Sequence, residues 1–261
     1  MRRKFFGPQY TGKQLLVVCL WQIASLILCA SLAWVLLAWC DFGYRYWFEL
    51  LNIDAFIQEM GPKNKFKPGF ARLSSHDYAA LFTQINEAIH TKGQGLAQIQ
   101  YQIPVRQELL TVDLLRPAEI THLQDVANLI SYLRAIILGV LLLWLSLSGW
   151  LWYNKLRDNS LNLTLSWRSL LLCWCLIITL SVLTALFGPT HLFYTLHTVV
   201  FPADHQWFFY YEESLMTTLM KAPDIFAAIA ILWLALTLVI HWLIVLGCRY
   251  HFVRKTAEKH P

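Results

Sequence analysis

Long apolar runs alternate with two polar segments along this chain, and that alternation organises the rest. Gln14 to Trp39 is apolar apart from Gln22, Ser25 and Ser31. At ~1.5 Å per residue a helix of that length exceeds a hydrocarbon core of ~30 Å. It is also longer than the ~7–15 apolar residues of a secretory signal. Three more runs of spanning length follow, at Ala135–Tyr153, Ser169–Phe187 and Ile225–Leu246.

The pattern therefore predicts an all-α membrane protein with four transmembrane helices and a small mixed α/β extracytoplasmic domain between the first two. Its segments are a cytoplasmic N-terminus (1–13), helix 1 (14–39), the extracytoplasmic domain (41–125), helix 2 (126–153) and a cytoplasmic loop (154–168). Helix 3 (169–187), an extracytoplasmic active-site loop (188–224), helix 4 (225–246) and a cytoplasmic tail (247–261) complete it.

Within 41–125 the pattern is that of a folded domain. The aromatic start at Asp41–Leu51 suits an amphipathic helix at the interface. Gly61–Gly69 is a loop by its turn residues. Ser74 or Ser75 can cap a helix from His76 to about His90, and Gly93 and Gly95 end it. Leu96–Val112 reads as one or two short strands, with Pro104 confining its strand to an edge or a bulge. Pro117 opens a helix that enters the membrane, Gly188-Pro189 stops the third span, and Pro223 can start the fourth.

Composition agrees with the pattern: 57% of residues are hydrophobic and only 14% charged, against about a quarter charged in soluble domains. The net charge of +5 forms no basic stripe, so no nucleic-acid partner is expected. The basic residues flank the apolar runs instead. Eleven of the 21 Lys and Arg lie in the two termini and the 154–168 connection, whereas 188–224 holds Lys221 against four acidic residues. This asymmetry places both termini in the cytoplasm of a cell-membrane protein and both polar segments outside. The six cysteines lie in or beside apolar runs, which removes a disulfide framework or a zinc knuckle from the polar segments.

Candidate chemistry concentrates in two places. Glu119, His122 and Asp125 recur at i, i+3 and i+6, along one side of a helix just above the second span. The bland reading is a well-started membrane helix with a surface histidine. The functional reading rests on depth, since His122 is within reach of a lipid ester. The second place is 191–226, with His191, His197, His205, Trp207 and a Phe/Tyr cluster. His197 among apolar neighbours is a structural histidine or a catalytic one. His205, beside Asp204, reads as loop surface, and His241 as a packing residue inside the fourth span. Arg134 either holds a lipid phosphate or pairs with a carboxylate. A metal held by His191, His197 and His205 is a rival reading, but these spacings match no helical metal pair. No serine-hydrolase elbow, Walker loop or dinucleotide fingerprint is present, so no cofactor is implied.

Glu119-x-x-His122-x-x-Asp125-Val126 resembles a signature of the lipoprotein intramolecular transacylase (Lit) family. So does Leu196-His197-x-x-x-Phe201, followed by Trp207, Leu215 and Pro223-Asp224-x-Phe226, and the four-span layout is similar too. The segment Phe208–Ser214 departs from the more acidic stretch typical of that family. The resemblance implies an acyltransferase acting on a diacylated lipoprotein at the membrane lipid surface. It would move the sn-2 acyl chain of the diacylglyceryl cysteine to the cysteine's own α-amine, an intramolecular O-to-N transfer giving the lyso form. His122 and His197 match two family histidines. His122 is then expected as the base, supported by Glu119 or Asp125, and His197 as the group that stabilises the oxyanion or protonates the leaving glycerol oxygen; the two roles are interchangeable at this level. Arg134, Trp207 and Tyr210 are the expected substrate-binding residues. A lipid- or partner-binding membrane protein without catalysis is the alternative on the same scaffold.

Overall fold

The computed structural model describes residues 12–158 and 167–257. Among these described residues nine helices, a hairpin and short 3-10 turns follow one another: α1 (Gly12–Trp39), α2 (Tyr44–Leu50), α3 (Ile53–Met60), α4 (Ser75–His90), β1 (Gln100–Val105), β2 (Glu108–Asp113), α5 (Pro117–Asp158), α6 (Trp167–Phe187), α7 (Pro189–Val200), α8 (Leu215–Met220) and α9 (Asp224–Ala257). The chain is thus mostly helical with one two-stranded antiparallel sheet. The N-terminal residues 1–11, the connection 159–166 and the tail 258–261 lie outside the described residues, and with them four of the eleven basic residues counted above.

Among the described residues three helices contain stretches long and apolar enough to cross a membrane, at Leu16–Trp39, Pro117–Leu151 and Asp224–Gly247. The 21-residue α6 occupies the position of the third expected span. α5 has 42 residues, about 60 Å at ~1.5 Å each, roughly twice a hydrocarbon core. Its first turns therefore belong to the polar domain.

The fold divides into two compact units. The first comprises residues 1–33, 136–186 and 234–261. Here apolar helices have no hydrophobic drive to associate in lipid, and indole–hydroxyl bonds supply the specificity. Trp21 Nε1 donates to Ser148 Oγ at 2.9 Å and Trp144 Nε1 to Ser25 Oγ at 2.7 Å, with the two indoles stacked at 6.1 Å. His241 is buried between Gln22 Oε1 at 3.2 Å and Trp174 Nε1 at 3.3 Å, the packing place expected for it.

The second unit, residues 34–135 and 187–233, is the polar domain together with the segment between α6 and α9. α4 starts as expected, with a full capping box between Ser74 and Asp77, and buries Tyr78, Leu81, Phe82 and Ile85. The hairpin pairs Gln100 with Asp113 and Val105 with Glu108, with Pro104 opposite Leu109 in a sheet of two edge strands. The aromatic helix α2 is amphipathic within the domain. Tyr44 and Phe48 are buried, Tyr44 stacking on Phe82 at 4.2 Å, while Tyr46 is exposed. Tyr44 Oη also donates to the Leu219 carbonyl of α8 at 2.8 Å.

The stretch expected as a loop, 188–224, contains two helices. Gly188 has φ +97°, a conformation that favours glycine, and Pro189 then starts α7 after the end of α6. Irregular chain from Phe201 to Ser214 leads to α8, which packs on α3 and α4. Lys65 N donates to the Glu212 carbonyl at 2.8 Å, holding this chain to the domain. Both segments that carry candidate chemistry thus lie in one unit.

Candidate active site

His122 projects from the second turn of α5, and its residue exposure is only 9%. Its ring meets Phe201 edge-on at 4.9 Å and Phe209 at 6.0 Å, and the ring of His197 stands at 6.2 Å. His122 Nδ1 is buried without a hydrogen-bond partner. Such an atom destabilises the folded state by about 1–3 kcal/mol, so an unsatisfied polar group of this kind needs a reason.

His197 comes from α7, and its partly buried ring packs on Phe193 at 3.9 Å, Phe201 at 5.2 Å and Trp207 at 5.0 Å. Its Nδ1 lies 2.7 Å from the Phe193 carbonyl. A carbonyl only accepts, so Nδ1 carries the proton and, in the neutral ring, Nε2 carries the lone pair. Burial lowers the His197 pKa, and the bond to Phe193 offsets this in part. At neutral pH the ring is therefore the free base.

The two carboxylates on the same side of α5 have different partners. Glu119 is completely buried; it accepts from the Ser214 hydroxyl and from Arg116 N at 2.6 Å, with the Arg116 guanidinium at 3.7 Å. Ser214 in turn caps α8 by accepting from Thr217 N at 2.9 Å. Glu119 thereby joins the start of α5 to the start of α8. Asp125 Oδ2 lies 2.6 Å from His205 Nδ1. This bond raises the His205 pKa, and the charges of Asp125 and Asp204 add to the effect. Both carboxylates thus take their hydrogen bonds from residues other than His122, while the Asp125 charge still acts on the His122 ring.

His205 is the residue that the sequence reading passed over. Nothing local marks it, since its partner lies 80 positions away. The three loop histidines also diverge. His205 goes to Asp125, His197 faces His122, and His191 is exposed on α7. Among the described residues no three His, Cys, Asp or Glu side chains come together.

Of the expected substrate-binding residues, Trp207 walls the site beside His197 and touches Tyr194 at 5.4 Å. Tyr210 is exposed and meets the ring of Phe208 at 5.1 Å. Arg134 is not brought to the histidines. It is twelve residues beyond His122 on one helix, about 18 Å along the axis and about 120° round it. There Nη1 donates to the His90 carbonyl at 2.8 Å, beside a separate cleft that includes Trp39 and Glu87.

A groove of about 300 Å³ adjoins the site, lined by Asp125, Asn128, Leu129, Tyr132, Val200, Phe201 and Pro202. Asp125 and Phe201 link it to the histidines, because Phe201 touches both rings and Asp125 follows His122 by three residues on α5. Two facing imidazoles, one holding a lone pair and one an unpartnered nitrogen, in an aromatic enclosure can move a proton and steady a developing charge away from water.

The fold has solved counterparts. A point-mutant form of the membrane integral lipoprotein intramolecular transacylase Lit from Bacillus cereus superposes with a TM-score of 0.67 over 95% of both chains, at 14% identity. A second Bacillus cereus Lit structure gives 0.64 over 94% of this chain and 98% of the other, at 13% identity. No curated protein matches the chain in sequence. The family model for lipoprotein intramolecular transacylase Lit matches residues 86–226, which hold both histidines and more than half of the chain. The chain belongs to the lipoprotein intramolecular transacylase Lit family.

Proposed function

We propose that the chain is a cell-membrane O-to-N transacylase that moves the sn-2 acyl chain of a diacylglyceryl-cysteine lipoprotein onto the α-amine of the same cysteine. Family membership supports the general activity, and the facing pair His122 and His197 is the observation that carries the detail. His197 is the base. The Phe193 carbonyl fixes its tautomer, so that Nε2 can take the proton of the attacking nitrogen. His122, with its buried and unpartnered Nδ1, steadies the tetrahedral oxyanion or returns the proton to the glycerol oxygen. This assignment exchanges the roles first expected from the sequence. Nucleophile and ester belong to one molecule, so the site need only hold a folded conformer, which can supply several kcal/mol of the barrier.

Trp207, Phe201 and Phe209 line the enclosure and exclude water from the reacting ester. Four membrane helices, with α6 as the third, and cytoplasmic termini would place this site on the extracytoplasmic side, where the diacylated lipoprotein meets membrane lipid.

The experiment is mass spectrometry of a lipoprotein N-terminus from cells lacking their own N-acylating enzyme and expressing the chain or its His122→Asn and His197→Asn variants. A lyso-form N-acyl product with wild type alone is the expected result. An unchanged diacylglyceryl N-terminus with membrane-inserted wild type overturns the reading.

A further inference from the structure

The proposed reaction does not conserve protons at the site. A cysteine α-ammonium (–NH3+) and a glycerol ester (RO–CO–R′) become an amide (–NH–CO–R′), a glycerol hydroxyl (ROH) and one free proton. The new N–C bond forms as the ester C–O bond breaks. Of the two protons nitrogen loses, one goes to the glycerol oxygen and one to solvent. His122 and His197 can carry the first of these and end the cycle as they began it. The second needs a path to water, and His122 is buried while the partly buried ring of His197 packs against Phe193, Phe201 and Trp207.

We infer that the Asp125–His205 pair seats the substrate's α-ammonium and releases its first proton to water, before the two inner histidines act. This rests on the proposed transacylase reading.

The placement supports it. Asp125 follows His122 by three residues on α5 and lines the adjoining groove, bringing negative charge beside the site. Its side chain is only 15% exposed, and its one hydrogen bond among the described residues is to His205, through Oδ2. The second oxygen, Oδ1, is therefore available to an ammonium donor. His205 is the opposite in exposure, with 34% of its side chain open. In the neutral ring, Nδ1–H donates to Asp125 and Nε2 holds the lone pair. Nε2 faces away from Asp125, so it takes the proton of the seated ammonium through intervening water; Asp125 stabilises the resulting imidazolium, and the exposed edge passes the proton on to solvent.

The groups around it favour that exchange. The charges acting on His205 are those of Asp125 on α5 and Asp204 on its own loop, and both raise its pKa. That moves an imidazole of ordinary pKa ~6.5 towards an α-amine near ~8, so the two can share a proton without a large uphill step. His122 faces the same carboxylate from inside the enclosure. The loop that carries His205 also carries Phe201, Trp207 and Phe209, and so a purely mechanical clamp is the competing role for the pair.

The test separates an outlet from a clamp. The full-length protein in detergent is given a synthetic diacylglyceryl lipopeptide with a free α-amine, and N-acyl product is followed by mass spectrometry from pH 6 to 9. His205→Asn, which keeps an amide donor near Asp125, is expected to slow turnover on the order of ten-fold at pH 6–7, to approach wild type above the amine pKa, and to recover with added imidazole. A clamp has no reason to respond to a diffusible base. Equal slowing at every pH without rescue overturns the inference, as does a profile identical to wild type. Asp125→Asn is expected to raise KM for the lipopeptide more at pH 6–7 than at pH 9, and an unchanged KM overturns the ammonium seat. Wild type that forms no product overturns the transacylase reading itself, which keeps the two failures distinct.

Discussion

The carboxylate of Glu119 accepts the Ser214 hydroxyl across 95 positions of sequence, and both residues are fully buried. Through that bond the first turn of α5, which carries His122 one turn later, is tied to the cap of α8. The geometry of the histidine pair depends on this tie, since α8 ends the irregular chain that brings Phe201, Trp207 and Phe209 to the site. Glu119→Ala leaves the Ser214 hydroxyl and the Arg116 amide without their partner and is expected to destabilise the protein by about 2–4 kcal/mol. Glu119→Gln keeps one carbonyl oxygen and is expected to cost about half of that. Thermal unfolding in detergent checks the order Ala below Gln below wild type.

The fold was largely legible in the sequence, and the site only in part. Apolar run length marked the long apolar helices, three of which are of membrane-spanning character among the described residues, Ser74 marked the start of α4, and the stretch around Pro104 produced the hairpin, because each of these signals is local. The family signature picked out His122 and His197, the two rings that the fold brings face to face. The partners of Glu119 and Asp125 were not legible, because helical spacing says which residues share a side but not what packs against that side. Glu119 or Asp125 was expected to support His122, and Ser214 and His205 reach these two carboxylates from another segment. Arg134 lies apart from the histidine pair, since twelve residues of helix separate it from His122 along the axis and turn it to another side. The 188–224 segment read as a loop because its histidines and aromatics masked the apolar face of α7.

His197 has a lowered pKa in the folded protein. A histidine depressed on folding contributes stability that is present above its unfolded pKa, near ~6.5, and is lost as pH falls. The same protonation removes the lone pair needed for catalysis. Activity is therefore expected to fall on acidification below the ordinary histidine pKa of ~6.5, beyond the loss from protonating the substrate amine. Phe193 supplies a backbone carbonyl, so its substitution by Leu keeps the hydrogen bond while removing ring packing at 3.9 Å. Phe193→Leu is expected to retain most turnover, whereas His197→Asn is expected to lose about 10²–10⁴-fold. Initial rates of lipopeptide conversion distinguish the two.

His205 runs in the opposite direction. Its pKa is raised in the folded state by the Asp125 bond, so the stabilisation it provides is fully present below about pH 6.5 and fades as pH rises through the folded value. The Phe201–Ser214 segment is expected to exchange its amide hydrogens faster at pH 8.5 than at pH 6, after correction for intrinsic exchange. Asp125→Asn should remove that difference. Hydrogen exchange read by mass spectrometry over peptides from this segment makes the comparison, and a segment whose protection ignores both pH and the substitution would show that the pair does not hold it.

The hairpin offers a test of the polar domain independent of chemistry. Gly69 has φ +73°, and a Cβ built on it would stand 2.6 Å from Ile103 Cδ1 and 3.2 Å from Ile103 Cγ2. Ile103 is buried in β1, so its side chain cannot simply swing into solvent. Gly69→Ala therefore combines left-handed backbone strain of about 1–2 kcal/mol with overpacking of about 1–3 kcal/mol. Ile103→Val beside it removes Cδ1, the nearer of the two clashing atoms. The double variant is expected to be less destabilised than the sum of the two single ones, because the residues share one contact. Thermal unfolding of the four proteins in one detergent closes the cycle, and strict additivity would mean that backbone strain alone governs Gly69.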